Sequence, residues 1–363
     1  MDKNEILVVY GDDISAMAIR LANEANLAGL IGDRRKWIGI KPNLVVARPA
    51  SGGATTHPEI AWGLISYLKE NGFNNIVILE GAWAGASTTD AFKICGFGKV
   101  ADEWGVQLID TKQDKTKPCD CRGMEIEICQ SALAVDFMIN LPVMKGHCQT
   151  LITCALKNNK GVIPDWEKRR FHTLGLTKPI AHLNTAVRSD FIVVDAVCGD
   201  LDFEEGGNPV HSGRMFAARD PVLCDAWVAA QMGYEISEIP YIGLAEKLGV
   251  GSADIANAKV RELNKVSSQA RVAASPSGKV RQLAACVNEN KACSACYASL
   301  IFALSRLNRT ELGALWDKIC VGQGFKGKKG NLGIGTCTIE FKAFCPGCPP
   351  SGADVLAFLR KNI

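Results

Sequence analysis

Residues 37–80 read WIGIKPNLVVARPASGGATTHPEIAWGLISYLKENGFNNIVILE. WIGIK (37–41) is a short apolar run that ends in a lysine, and NNIVILE (74–80) is a second that ends in a glutamate. Between them, PEIAWGLISYLKENG (58–72) carries apolar residues at helical spacing and stops at Gly72. Thr56 and Glu59 stand in capping-box spacing at the expected helix start. A strand, a helix and a strand of these lengths form a βαβ unit, whose two strands lie parallel in one sheet.

The same alternation continues on both sides. EILVVY (5–10), VQLID (106–110), MEIEI (124–128), DFMINLP (136–142) and FIVVD (191–195) read as strands. SAMAIRLANEANL (15–27), TTDAFKICGFGKVADEWG (88–105), TKPIAHLNTAVRS (177–189), DPVLCDAWVAAQMGY (220–234) and PYIGLAEKLGVG (240–251) read as helices. This rhythm predicts an α/β fold: a mostly parallel sheet with helices on both faces. SSQARVAASPSG (267–278) loosens the pattern and marks the expected boundary. The expectation is an α/β domain over 1–268 and a small basic cysteine-rich module over 269–363.

Of 363 residues, 47% are hydrophobic and 22% charged, which excludes wholesale disorder. No run approaches a membrane span, and MDKNEILVVY lacks the basic and apolar regions of a signal peptide. A cytoplasmic protein without membrane contact is expected. The net charge of +3 conceals an asymmetry: residues 1–268 hold 28 Lys+Arg against 33 Asp+Glu, and residues 269–363 hold 13 against 5. A basic tail suits an acidic partner protein or the offset of an anionic cofactor. No nucleic-acid motif accompanies it, so nucleic acid is not expected as a partner.

Ligands of open α/β sheets bind beyond the carboxyl ends of the strands. Here those ends are polar: Lys41 and Asn43 after one strand, Glu80 after another, Lys145 and His147 after DFMINLP, and Asp195 after FIVVD. The segment KGHCQTLITCALKNNKGV (145–162) adds Lys157, Asn158 and Lys160, with Gly161 permitting close backbone approach. The bland alternative is that each residue merely ends its strand or sits in a solvated turn. Together they suit a small anionic ligand, a carboxylate or phosphate, held by Lys41, Asn43, Glu80, Lys157, Asn158 and Asp195. Lys145 and His147 are the candidate catalytic groups, since a histidine changes charge near neutral pH. GAWAGASTT (81–89) suits either an anion at a helix N-terminus or a tight turn.

Fifteen cysteines, seven of them within 286–348, point to metal or redox use in a reducing compartment. Scattered ones such as Cys95, Cys154, Cys198 and Cys224 read as small buried hydrophobes. Cys293-x-x-Cys296 and Cys345-x-x-Cys348 are chelating pairs, with Cys320 and Cys337 between them. Two such pairs suit tetrahedral zinc or a four-cysteine iron–sulfur cluster, and free thiols are the bland alternative. Cys293 and Cys296 precede a helical stretch, YASLIFALSRLN (297–308), whose dipole favours an anionic cluster. Cys348 lies between Gly347 and Pro349, and the fourth ligand falls among Cys337, Cys345 and Cys320. Cys337, after a glycine-rich stretch, is preferred. GQGFKG (322–327) matches a dinucleotide fingerprint but opens no helix, so it reads as a loop.

The Lys41-Pro42-Asn43 strand end, the PxxKxH and LKNNKG patterns within Pro142–Gly161, and the tail CSACY…CVGQGFKGKKGNLGIGTC…CPGCPP resemble the uncharacterised family catalogued as domain of unknown function 362. The resemblance covers most of the chain. It implies iron–sulfur binding, and a [4Fe-4S] cluster is expected. The sequence lacks a C-x₂-C-x₂-C-x₃-C-P run, so the cluster would use the dispersed cysteines. The expected function is a redox enzyme acting on a small anionic substrate. The alternatives are a non-catalytic electron-transfer or accessory protein that docks an acidic partner, and a zinc-stapled ligand-binding protein.

Overall fold

The structure is a computed structural model, and it describes residues 1–265, 278–315 and 317–363. The chain divides into two compact units: Met1–Arg169 with Thr177–Ser275, and Arg170–Leu176 with Pro276–Ile363. Residues 267–277 of the expected boundary segment lie outside the described residues.

The first unit contains strands β1 (Glu5–Tyr10), β2 (Ile38–Pro42), β3 (Ile76–Glu80), β4 (Gln107–Asp110), β5 (Thr116–Asp120), β6 (Glu125–Cys129), β7 (Phe137–Leu141), β8 (Lys145–His147), β9 (Leu151–Thr153), β10 (Phe191–Asp200), β11 (Pro209–Ala218) and β12 (Lys259–Glu262). Eight of them form one sheet in the order β12-β1-β11-β10-β7-β2-β3-β4. The βαβ unit of residues 37–80 is present: β2 and β3 run parallel, with Ile38 opposite Ile76 and Ile40 opposite Ile78. β7 joins the other side of β2, and β10 joins β7, both parallel. β11 runs against both of its neighbours, β1 and β10. The sheet is therefore mostly parallel, as the sequence predicts.

Three differences from the sequence reading have physical causes. FIVVD continues to Asp200, because β11 supplies a partner for the extra residues beyond a bulge at Ala196/Cys198. MEIEI does not enter the large sheet; as β6 it pairs antiparallel with β5 in a separate hairpin. Thr56 does not cap the helix Pro58–Glu70, whose N-cap is His57 with proline following. The Thr56 hydroxyl instead accepts the Asn43 N–H at 2.8 Å and donates to the Leu141 carbonyl at 2.8 Å. It ties the end of β7 to the segment after β2.

Leu7, Val9, Ile38, Ile40, Ile76, Ile78, Phe137, Ile139, Phe191 and Val193 point to one face of the sheet, against the helices Ile14–Glu24 and Pro58–Glu70. Their sequence neighbours Ile6, Val8, Val77, Leu79, Met138, Ile192 and Val194 are equally buried. Continuous apolar strands follow from a sheet covered on both sides, and they leave the carboxyl edge as the place for polar groups.

The second unit is built on β13 (Val287–Glu289), β14 (Ile319–Val321), β15 (Leu332–Ile334) and β16 (Ala343–Cys345), parallel and adjacent in that order. The helices Ser294–Ser305 and Gly352–Lys361 pack together. Leu300, Ile301, Leu304, Ile319, Val321, Val355 and Leu359 are buried. GQGFKG forms a single 3₁₀ turn, Gln323–Phe325, that opens no helix. Among the described residues, no helix is long and apolar enough to cross a membrane.

Candidate functional site

The parallel strands β2, β3 and β7 end side by side, with Lys41 opposite Asn140. Lys41 is fully buried, and its ammonium meets Glu80 Oε2 at 2.8 Å. It also donates to the Pro42 carbonyl at 3.1 Å and to Asn158 Oδ1 at 3.4 Å, which uses all three of its protons. Burial lowers the Lys41 pKa, and the Glu80 charge opposes that shift. A Cβ on Gly161 would overlap Glu80 Oε1 and crowd Lys41 Nζ at 2.5 Å, so only glycine lets this backbone lie on the ion pair.

Asn158 joins the strands. Its Oδ1 accepts from Asn43 Nδ2 at 2.8 Å, and its Nδ2 donates to Asn140 Oδ1 at 2.7 Å. Asn43 Oδ1 in turn accepts from Lys145 Nζ at 2.8 Å. Lys145 donates further to the carbonyls of Ala54 and, at 3.1 Å, Glu204. Its three protons are also used. Burial brings Lys145 down to about 8, against the pull of Glu204.

Glu204 lies on the connection between β10 and β11 and enters the site from above it in sequence. Asp200 builds that connection: its carboxylate accepts the N–H groups of Asp202 at 3.0 Å, Phe203 at 2.9 Å and Asn208 at 2.9 Å. The Glu204 carboxylate is bound by Lys157 Nζ and, at 3.2 Å, by His147 Nε2. Lys157 also donates to Thr153 Oγ1 at 3.1 Å, which leaves it one spare proton. Burial works against the Glu204 charge, but Lys157 and His147 hold its carboxyl well below the usual range.

His147 cannot serve as a free base in this arrangement. Its Nδ1 accepts the N–H groups of Gln149 at 3.1 Å and Thr150 at 3.0 Å, so Nε2 carries the proton that faces Glu204. A second proton would point at two N–H groups. Burial, with the Lys157 charge, pushes the ring down to about 4.

Asp195 is not turned toward the lysines. It is fully buried and bound to His57: Oδ2 accepts from the His57 backbone N–H and pairs with Nδ1, both at 2.8 Å, while Oδ1 accepts the Val197 N–H at 3.1 Å. Burial lowers the His57 pKa, but the Asp195 charge and hydrogen bond outweigh it and the net shift is upward. With Nδ1–H on the carboxylate, His57 Nε2 is the ring position left for proton exchange.

The structure thus gathers Lys41, Asn43, Glu80, Lys145, His147, Lys157 and Asn158 at one edge and places Asp195 in a dyad beside Thr56. Sequence reading missed His57, Asn140, Glu204 and Lys168. His57, in TTHP ahead of a helix, carried a visible signal; Glu204 lies in a loop without pattern. Lys168 donates to the Gly81 and Ala82 carbonyls at 3.0 and 2.9 Å. GAWAGASTT therefore presents carbonyl oxygens to a lysine at that point, and Ser87 caps the seven-residue helix after it.

In the second unit, Cys293 is the N-cap of the helix Ser294–Ser305, with Cys296 in its first turn. Burial raises both thiols, Cys296 to about 12; after burial, the charges acting on Cys296 are those of Cys293, Cys348 and Cys337. Gly335, at φ +85°, lies where a Cβ would stand 3.4 Å from Cys296 Sγ. Burial raises the buried Cys345 thiol, and Asp354 is the charge that acts on it. Cys320 faces the Lys318 carbonyl and Asn288. The four gathered thiols offer the donor set of a thiolate-ligated cluster, set at a helix N-terminus.

Fold and site together define an α/β protein with a buried lysine–carboxylate network at the carboxyl edge of a mostly parallel sheet. The chain belongs to the DUF362 family, a domain of unknown function whose model matches residues 38–230. It is similar to the thylakoid-associated protein sll1697 of Synechocystis sp. (strain ATCC 27184 / PCC 6803 / Kazusa), at 20% identity over 230 residues, 60% of this chain and 69% of that protein. Among solved structures, the lactate racemase apoprotein from Thermoanaerobacterium thermosaccharolyticum matches 60% of this chain at 14% identity and a TM-score of 0.40. A Thermotoga maritima crystal structure matches 66% at 12% identity and a TM-score of 0.36. The chain spans 55% and 59% of those two structures.

Proposed function

We propose that this chain is a cytoplasmic iron–sulfur redox enzyme acting on a small carboxylate substrate. The observation that carries the redox half is that the Cys337 and Cys348 charges act on Cys293 and Cys296 at the N-terminus of the helix Ser294–Ser305. These four residues would hold a [4Fe-4S] cluster, which would supply single electrons. Exposed Lys326, Lys328, Lys329 and Lys342 suit an acidic electron-carrier protein as the source of those electrons. Protein purified without oxygen should be brown, with iron and acid-labile sulfide in similar amounts. Serine at Cys293, Cys296, Cys337 or Cys348 should lower both sharply, and serine at Cys345 or Cys286 should not. Stoichiometric zinc at these cysteines, without iron, would overturn the reading.

The substrate half rests on Glu204. Lys41 and Lys145 spend every proton on internal partners, so they build the site rather than bind the ligand. The Glu204 carboxylate occupies the seat made by Lys157 and His147 Nε2. When that loop withdraws, Lys157 and His147 Nε2 would hold a substrate carboxylate in its place. His57, oriented by Asp195, replaces His147 as the candidate group for taking or giving a proton. Chemical rescue tests the seat. Acetate should raise the melting temperature of Glu204→Ala but not of the wild type, and the effect should vanish in the Lys157→Ala/Glu204→Ala pair. A Glu204→Ala protein indifferent to acetate would place the ligand elsewhere.

A further inference from the structure

Three metal-binding side chains meet elsewhere in the first unit. Cys154 Sγ and Cys224 Sγ are 4.0 Å apart, and with an Asp225 carboxylate oxygen they all lie within 4.8 Å of one another. All three residues are buried. The carboxylate accepts the Leu156 N–H at 3.3 and 3.4 Å and the Tyr241 hydroxyl at 3.4 Å, and the Ala155 N–H and the Cys154 thiol also hydrogen-bond to it. Burial pushes the Asp225 carboxyl up to about 7 and raises the Cys154 thiol well above its ordinary value.

We propose that Cys154, Cys224 and Asp225 bind one zinc ion, which fastens the segment Cys154–Asn158 to the helix Pro221–Gln231. Sulfurs 4.0 Å apart subtend an angle of about 120° at an ion about 2.3 Å from each, within reach of zinc's coordination. Two thiolates disfavour the hard cations calcium and magnesium. A monovalent copper ion would leave more uncompensated negative charge in the core than a dication does. The Tyr241 hydroxyl stands where it orients the carboxylate from behind, as outer partners of metal ligands do.

The site would act structurally. Cys154 ends the turn after β9, and the next four residues include Lys157 and Asn158, which hold the Glu204 carboxylate and the strand-end network. The Asp225 carboxylate already accepts the Leu156 N–H between them. A zinc ion here would fix the backbone from which both side chains reach.

The test uses the full chain, purified anaerobically with its iron retained, after growth with added zinc. Zinc and iron are measured together in the wild type and in Cys154→Ala, Cys224→Ala and Asp225→Asn. About one zinc per chain is expected in the wild type, falling about tenfold or more in each cysteine variant while iron is unchanged. Cobalt substitution should give a thiolate-to-metal band in the wild type that Cys224→Ala loses. Alanine keeps a small apolar side chain in the core, and Asp225→Asn keeps the shape of the carboxylate, so at least one variant is expected to fold. Wild-type protein without zinc overturns the proposal. So does zinc that survives in Cys224→Ala and disappears in Cys293→Ala. A Cys154–Cys224 disulfide in the freshly purified protein, seen as a loss of about two mass units, also overturns it.

Discussion

At the scale of single residues, His147 shows how a side chain readable as a base becomes a fixed link. Burial, the Lys157 charge and two N–H groups on Nδ1 hold the ring neutral, against the pull of the Glu204 carboxylate at Nε2. Its folded pKa of about 4 lies below the ordinary 6.5, so between these values the unfolded chain binds a proton that the folded chain does not. The stability this provides is full above about pH 6.5 and is lost as pH falls toward 4. Between pH 7 and pH 5 it amounts to about 2 kcal/mol. Urea unfolding at the two values should show that loss in the wild type and a smaller one in His147→Gln. Equal losses would mean that the ring is not held neutral. The residue types at the site were legible in the sequence, because Lys41, Glu80 and Lys145 stand at strand ends where a charge needs a partner. Their division of labour was not, because counting protons on a lysine requires knowing every acceptor around it.

At the scale of elements, the connection Asp200–Asn208 decides what the anion seat contains. It holds its shape through three N–H groups on one buried carboxylate. Asp200→Ala leaves those donors without their acceptor, a loss of about 1–3 kcal/mol for the connection. Glutamyl endopeptidase should then cut after Glu204 or Glu205 at least about tenfold faster than in the wild type, while the sheet stays folded. Unchanged cleavage would show that the connection keeps its form without Asp200. The helix Pro58–Glu70 was legible from spacing, but its cap was misplaced by one residue; the helix expected at 297–308 begins earlier, at Ser294, so Cys296 lies in its first turn. Thr56 has the chemistry of an N-cap, yet its hydroxyl bridges Asn43 and Leu141, which are close only in the folded sheet.

At the scale of the whole molecule, the two units differ in what can stabilise them. The first has a sheet of eight strands whose central strands are buried on both faces; the second has four strands of three residues each. A cluster bound there would supply a larger share of the stability of the second unit than of the first. Removing iron anaerobically should lower one calorimetric transition by roughly 10 °C or more and leave the other in place. A single transition unmoved by iron removal would show that the second unit is stable without a cluster. Strand and helix periodicity, the charged strand ends and the cysteine spacing were set by local sequence, because each depends on neighbours within a few residues. The reversal of β11, the separate β5–β6 hairpin, the Glu204 carboxylate on Lys157 and His147, the His57–Asp195 dyad and the Cys154–Cys224–Asp225 group were decided only by tertiary structure. Each joins residues distant in the chain, and no local pattern records which backbone will bring them within hydrogen-bond reach.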